Sequence, residues 1–203
     1  MERIVRVSDI LTIAGSPSLN SRSAAVLTYA RDFLQSYGLS TAAIQVRELD
    51  AEELLWGRYD GPSVRAGVAK VQAARAVIIA TPVYKAAYSG VLKAFLDLLP
   101  QDSLADKIIL PIATGGSMAH LLSIDYALKP LFFALGAQHI LKGLYIQDAQ
   151  WQLTNGAPAT PDAEIEQRLQ SLLRTLISHL RQQETAHLSC TEQNHTTLST
   201  VAA

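Results

Sequence analysis

The strongest constraint on this chain is an alternation. From Ile10 to about Gln183, short β-branched runs take turns with longer segments of helical period, the pattern of βαβ units wound around a parallel sheet. Ile10-Leu11-Thr12-Ile13-Ala14 comes first, followed by a Gly/Ser/Pro/Asn loop and a helix with apolar residues at Val26, Ala30, Phe33 and Tyr37, stopped by Gly38. A second run, centred on Ile44 and Val46, alternates with polar residues and reads as an edge strand. A linker from about Leu54 to Pro62 precedes a helix marked by Val64, Val68, Val71 and Ala74, and the run from Ala76 to Ala80 is apolar throughout, as a doubly covered central strand requires. A helix from about Ser89 to Leu99 leads to Lys107 through Ala113, a fourth strand with the internal proline Pro111. A long helical stretch to Leu135, a fifth strand from Ile140 to Ile146, and a closing helix along Ile165, Leu169, Leu172, Leu173, Leu176, Ile177 and Leu180 complete the pattern.

Five parallel strands with helices on both faces predict a flavodoxin-like three-layer α/β sandwich with strand order 2-1-3-4-5. No repeat or linker divides the pattern, so residues 1–183 form one domain, and the stretch from Glu184 to Ala203, without an apolar period, is expected to be disordered. In such a sheet the ligand crevice lies outside the C-terminal ends of strands 1 and 3.

Charge and composition narrow the classes. With 17 Lys+Arg against 18 Asp+Glu the net charge is −1, with no basic excess to grip nucleic acid. No apolar run approaches the roughly 18 residues a membrane helix needs, and the start, MERIVRVSDILTIAGSP, carries no secretory pattern; the expectation is a cytoplasmic protein. The single Cys190 closes no internal disulfide, and His120, His139, His179, His187 and His195 are scattered without ligand spacing, so no metal site is expected.

Three loops at the strand ends carry complementary chemistry. After strand 1, Gly15-Ser16-Pro17-Ser18-Leu19-Asn20-Ser21-Arg22-Ser23 opens a helix. Its free amides, the hydroxyls of Ser16, Ser21 and Ser23, and the Arg22 guanidinium suit a phosphate. The loop has neither a Walker motif nor the Gly-x-Gly-x-x-Gly spacing, which favours a monophosphate; a solvated capping loop would use the same residues. Strand 3 ends in Thr81-Pro82-Val83-Tyr84-Lys85-Ala86-Ala87-Tyr88-Ser89-Gly90, a stiffened wall with an aromatic and a cation, on which a flat heteroaromatic ring can rest or against which Tyr84 and Tyr88 simply pack. Strand 4 ends in Thr114-Gly115-Gly116-Ser117, where two glycines permit close approach of backbone to ligand or a tight turn.

At these residues the sequence resembles the NADPH-dependent FMN reductases of the flavodoxin-like superfamily, most closely the reductase partners of two-component alkanesulfonate monooxygenases. The likeness runs from about Ile10 to Ile146, through AGSP and SRS, then ATPVYKAAYSGVLKAFLDLLP, then LPIATGGSMAHLLSIDYALKP. It implies FMN with its phosphate at Ser16, Ser21, Arg22 and Ser23 and its ring over Pro82, Val83, Tyr84, Lys85, Thr114, Gly115 and Gly116. It also implies that Tyr126 is an extra residue forming a π-bulge at a subunit interface, tied to the use of flavin as a dissociable substrate. The eight or so residues before strand 1 and the tail beyond Glu184 depart from the family pattern.

The implied reaction is hydride transfer from NADPH to FMN, with reduced flavin released to a partner monooxygenase. The cofactor carries that chemistry, so no catalytic acid, base or nucleophile is obligatory; Lys85 is the candidate for offsetting charge on the ring. The preference for NADPH rests on the resemblance alone. A quinone or azo-dye reductase of the same fold is the rival reading. A flavodoxin-type carrier would be strongly acidic, and a low-mass phosphatase fails because Cys190 is followed six residues on by Thr196, not Arg. A flavin-binding sensor would hold FMN without rapid turnover of NADPH. Apolar content in Leu131-Phe132-Phe133-Ala134-Leu135 exceeds the need of one helix face, which points to a subunit interface, and the resemblance implies a homodimer or homotetramer.

Overall fold

The computed structural model describes residues 8–153 and 159–200, with side chains through Thr185. The segment 1–7, on which the absence of a secretory pattern was partly read, lies outside the described residues.

Strand β1 (Ile10–Ala14) is buried along its whole length and sits between β2 (Thr41–Gln45) and β3 (Ala76–Tyr84), both parallel to it. β3 pairs in turn with β5 (Ile108–Gly115), and β5 carries on its far side β6 (His139–Ile140) and β7 (Leu144–Gln147). The order β2-β1-β3-β5-β6/β7 is the flavodoxin-like arrangement predicted. Its last strand is broken for a physical reason. Ile109 faces Ile140 and Ile112 faces Leu144, so three steps on β5 answer four on its neighbour. The extra residue falls opposite Pro111, which has no N–H to give a ladder, and a Cβ on Gly143 would stand 3.2 Å from the Pro111 ring.

Helices α1 (Arg22–Ser36) and α6 (Ala163–Thr200) cover one face, burying Val26, Leu27, Ala30 and Leu34 together with Ile165, Leu169, Leu173, Leu176 and Leu180 against the sheet. The buried stripe of α1 thus includes Leu27 and Leu34, while Phe33 and Tyr37 lie at its rim with ring centroids 5.0 Å apart. The other face carries α3 (Pro62–Ala73), α4 (Gly90–Leu96) and α5 (Lys129–Ala134), whose Val71, Leu92, Phe95 and Phe132 fill the second core.

The linker before α3 folds into the short helix α2 (Ala51–Leu55). Its Glu53 carboxylate, buried, accepts from the amides of Ser63 and Val64 and so caps α3, whose own N-cap Gly61 has no side chain to offer. A second antiparallel sheet, β8 (Trp151–Gln152) with β9 (Thr160–Pro161), leads into α6. The α6 backbone continues to Thr200, into the stretch after Glu184 that was expected to be disordered, and Arg75 holds the helix by pairing with Glu184 and donating to the Leu180 carbonyl. Side chains beyond Thr185 lie outside the described residues.

Candidate functional site

Every predicted site loop lies at the C-terminal edge of the sheet, and side chains tie the loops to one another. Ser21 is the N-cap of α1, its Oγ accepting from the amide of Ala24, while its carbonyl takes the amide of Ala25. That leaves the first-turn amides of Arg22 and Ser23, which have no carbonyl one turn back inside the helix, for a ligand. Ser16, Ser21 and Ser23 are all buried. Ser16 Oγ accepts from the amide of Ser18, Ser21 Oγ lies 3.3 Å from Ser23 Oγ, and Ser23 Oγ lies 3.4 Å from Thr114 Oγ1. A line of hydroxyls therefore joins the loop after β1 to the end of β5.

Arg22 also makes contacts within the chain that the sequence does not announce. Its Nε donates to the carbonyls of Asp148 and Trp151, both at 3.1 Å, and Nη1 stands 3.5 Å from the Asp148 carboxylate. The guanidinium thus straps the start of α1 to the loop after β7, with about a third of the side chain still exposed.

β3 continues past Ala80 to Tyr84 and doubles back through β4 (Ala87–Tyr88), pairing Val83 with Tyr88 and Tyr84 with Ala87. The two residues of the turn, Lys85 (φ 49°) and Ala86 (φ 67°), both have left-handed backbones, as a two-residue hairpin of this twist requires. Neither is Gly or Asn, so the turn stores strain of about 1–3 kcal/mol per residue. Tyr84 and Lys85 are exposed at this tip, while Pro82 pairs with Thr114 in the adjoining strand. Ser89 anchors the base of the hairpin: its amide donates to Thr81 Oγ1 at 3.0 Å, its Oγ caps α4 at Leu92, and the same Oγ donates to the Gly15 carbonyl. Gly15 is required here, because a Cβ would stand 2.6 Å from that of Leu92.

The Thr114–Ser117 loop is held from below by Tyr145 in β7, whose hydroxyl donates to the Ser117 carbonyl at 2.6 Å. Burial, and then the nearby Asp148 carboxylate, push the Tyr145 hydroxyl above its ordinary pKa, so it stays a donor at neutral pH. A Cβ on Gly115 would lie 2.6 Å from that hydroxyl.

The predicted long helix after β5 is a composite. A 3₁₀ turn (Met118–His120) is followed by a π-helical turn over Ile124–Leu128, closed by the Lys129 amide on the Ile124 carbonyl, and only then by α5. Tyr126 lies in the π turn, half exposed, and its hydroxyl donates to the Ala86 carbonyl at 2.5 Å. The π turn is thus bonded to the tip of the strained hairpin.

The sequence reading missed Ser89, Tyr145 and Asp148. Ser89 carried a signal as a helix cap; the other two gain their roles only from packing. Among the described residues no cluster of three or more metal-ligating side chains occurs.

Residues 8–152 match the family of NADPH-dependent FMN reductases. An FMN reductase (NADPH) of Pseudomonas putida is 48% identical over 167 residues, which span 82% of this chain and 85% of that protein. One of Escherichia coli is 48% identical over 141 residues, 70% of this chain and 74% of that protein. Among solved structures, the apo form of an NADH:FMN oxidoreductase superposes with a TM-score of 0.74 at 35% identity, covering 86% of this chain and 88% of that one. A serine-lined helix N-terminus, an aromatic hairpin wall and a glycine-opened strand end, joined at one edge of a flavodoxin-like sheet, accord with that match, and the chain belongs to the NADPH-dependent FMN reductase family.

Proposed function

We propose that this chain reduces FMN with NADPH, treating flavin as a substrate that it releases to a reduced-flavin-dependent monooxygenase of the alkanesulfonate-desulfonating type. When bound, FMN supplies the hydride acceptor, so the chain's own work is to bind, orient and let go. The donor set fits a phosphorylated flavin: the amides of Arg22 and Ser23 and the hydroxyls of Ser16, Ser21 and Ser23 receive the phosphate, with Arg22 adding charge from the strap it makes to Asp148. Pro82, Val83, Tyr84 and Lys85, with Thr114, Gly115 and Gly116 from the adjoining strand end, would line the ring site. Lys85, with no carboxylate partner among the described residues, is the cation that would offset negative charge on a bound ring.

The observation that carries release is the bond from Tyr126 to the Ala86 carbonyl. π turns are rare and cluster at functional sites, and this one is bonded to a hairpin whose two turn residues are strained, which ties the ring wall to the π turn. Met118, Leu121, Leu122, Tyr126 and Phe133 are all exposed around it, an apolar face suited to a second copy in a homodimer or homotetramer. No helix among the described residues is long and apolar enough to cross a membrane, in keeping with a cytoplasmic enzyme. Deleting Tyr126 tests the reading. The shortened protein is expected to purify yellow, with FMN retained, and to stop feeding reduced flavin to an oxygenase; a colourless protein that still feeds it fully would refute the role.

A further inference from the structure

One carboxylate stands among groups otherwise suited to an anion. Asp148 Oδ1 lies 3.5 Å from Arg22 Nη1, and among the described residues it is the one acidic group within ion-pairing distance of that guanidinium. Asp148 Oδ2 lies 3.7 Å from where a Cβ on Gly116 would stand, so the charge sits between the opening of α1 and the glycine loop at the end of β5. The contact with Arg22 is poor as a hydrogen bond and redundant as a means of placing the side chain. Charge-assisted N–H···O bonds close to about 2.7–2.9 Å, whereas this one stays open, and Nε already fixes the guanidinium on the carbonyls of Asp148 and Trp151, both at 3.1 Å. What the Asp148 side chain adds is its charge. With 35% of the Arg22 side chain and 45% of that of Asp148 exposed, the fork is open to an incoming anion, which must share it with the carboxylate.

We infer that Asp148 sets how loosely flavin is held: its carboxylate cancels part of the Arg22 charge and repels the flavin phosphate, so that FMN leaves readily. The inference rests on the reading that the phosphate docks at the opening of α1. Like charges brought close in a half-exposed site cost affinity, and a phosphate dianion feels the carboxylate twice over. The phosphate is the same in oxidised and reduced flavin, so Asp148 weakens both alike. It acts on the KM for FMN and on residence, not on the hydride step.

Fluorescence titration of FMN and of riboflavin on the flavin-stripped protein tests it, in wild type, Asp148→Asn and Asp148→Glu. Asp148→Asn keeps the shape of the side chain and both backbone acceptors of Arg22. It is expected to tighten FMN about tenfold, to leave riboflavin nearly unchanged, and to lower the KM for FMN without raising kcat. The gap between wild type and Asp148→Asn should narrow as salt rises from about 0.1 to 1 M, where the screening length falls from about 10 to 3 Å. Asp148→Glu keeps the charge and should stay close to wild type in FMN affinity. If wild type prefers FMN to riboflavin and Asp148→Asn leaves FMN unchanged or weaker, the inference is overturned. Equal tightening of riboflavin, or the same gain in Asp148→Glu, would overturn it too, because the effect would then lie in the ring or the loop shape and not in charge on the phosphate. A wild type that holds FMN no more tightly than riboflavin, with variants that change neither, would overturn the phosphate reading and the inference with it.

Discussion

Arg22 shows how one side chain serves two ends of a site. Its Nε is spent on the carbonyls of Asp148 and Trp151, which fixes the guanidinium beside the open end of α1. If the remaining fork holds the FMN phosphate, Arg22→Ala should weaken FMN about 10- to 100-fold, the worth of a charge-assisted bond. Riboflavin, which has no phosphate, should lose little; fluorescence titration of both flavins decides it, and equal losses would make Arg22 a strap only. Gly115 makes a separate prediction. A Cβ there meets the Tyr145 hydroxyl at 2.6 Å, so Gly115→Ala should cost about 1–3 kcal/mol, and adding Tyr145→Phe should recover part of it in denaturant unfolding. At this scale the sequence was readable where chemistry is local: Ser21 before a helix announces the cap that it forms. It was silent on Tyr145 and Asp148, whose partners lie 28 and 126 residues away.

Elements explain where the reading of boundaries slipped. The fifth strand breaks because Pro111, one strand over, cannot complete a ladder, and no window within the fifth strand itself contains that fact. The helix after β5 has apolar residues enough for any helical pitch, so periodicity could not separate π from α; the resemblance to relatives did. The junction of β6 with α6 carries its own prediction. His139 and His179 meet edge to face with centroids 4.6 Å apart, and burial, then the His179 charge, hold His139 below its ordinary pKa of 6.5. The unfolded chain therefore takes up a proton first as pH falls below about 6.5, and the folded state loses stability toward acid. Melting temperature should drop between neutral pH and about pH 5 more in the wild type than in His139→Gln. An identical drop in both would show that His139 does not carry this pH dependence.

Over the whole molecule the alternation of strands and helices was enough to predict the topology, because a parallel sheet with short right-handed crossovers leaves few alternatives. That the three candidate loops share one edge followed from the same topology, since loops after adjoining strands must meet there. Which large apolar side chains stay exposed did not follow, because exposure of Trp56 or Phe133 is decided only once every helix has chosen its buried face. The central claim, that flavin is a substrate here and not a fixture, is a property of the whole enzyme in turnover. The measurement is the rate of NADPH oxidation by flavin-stripped protein with free FMN added, omitted, or replaced by a quinone. The account predicts saturable turnover that depends on added FMN and is absent without it. Rapid turnover with the quinone, sustained by a trace of tightly held FMN, would contradict it and make the chain a quinone-type reductase built on the same sheet.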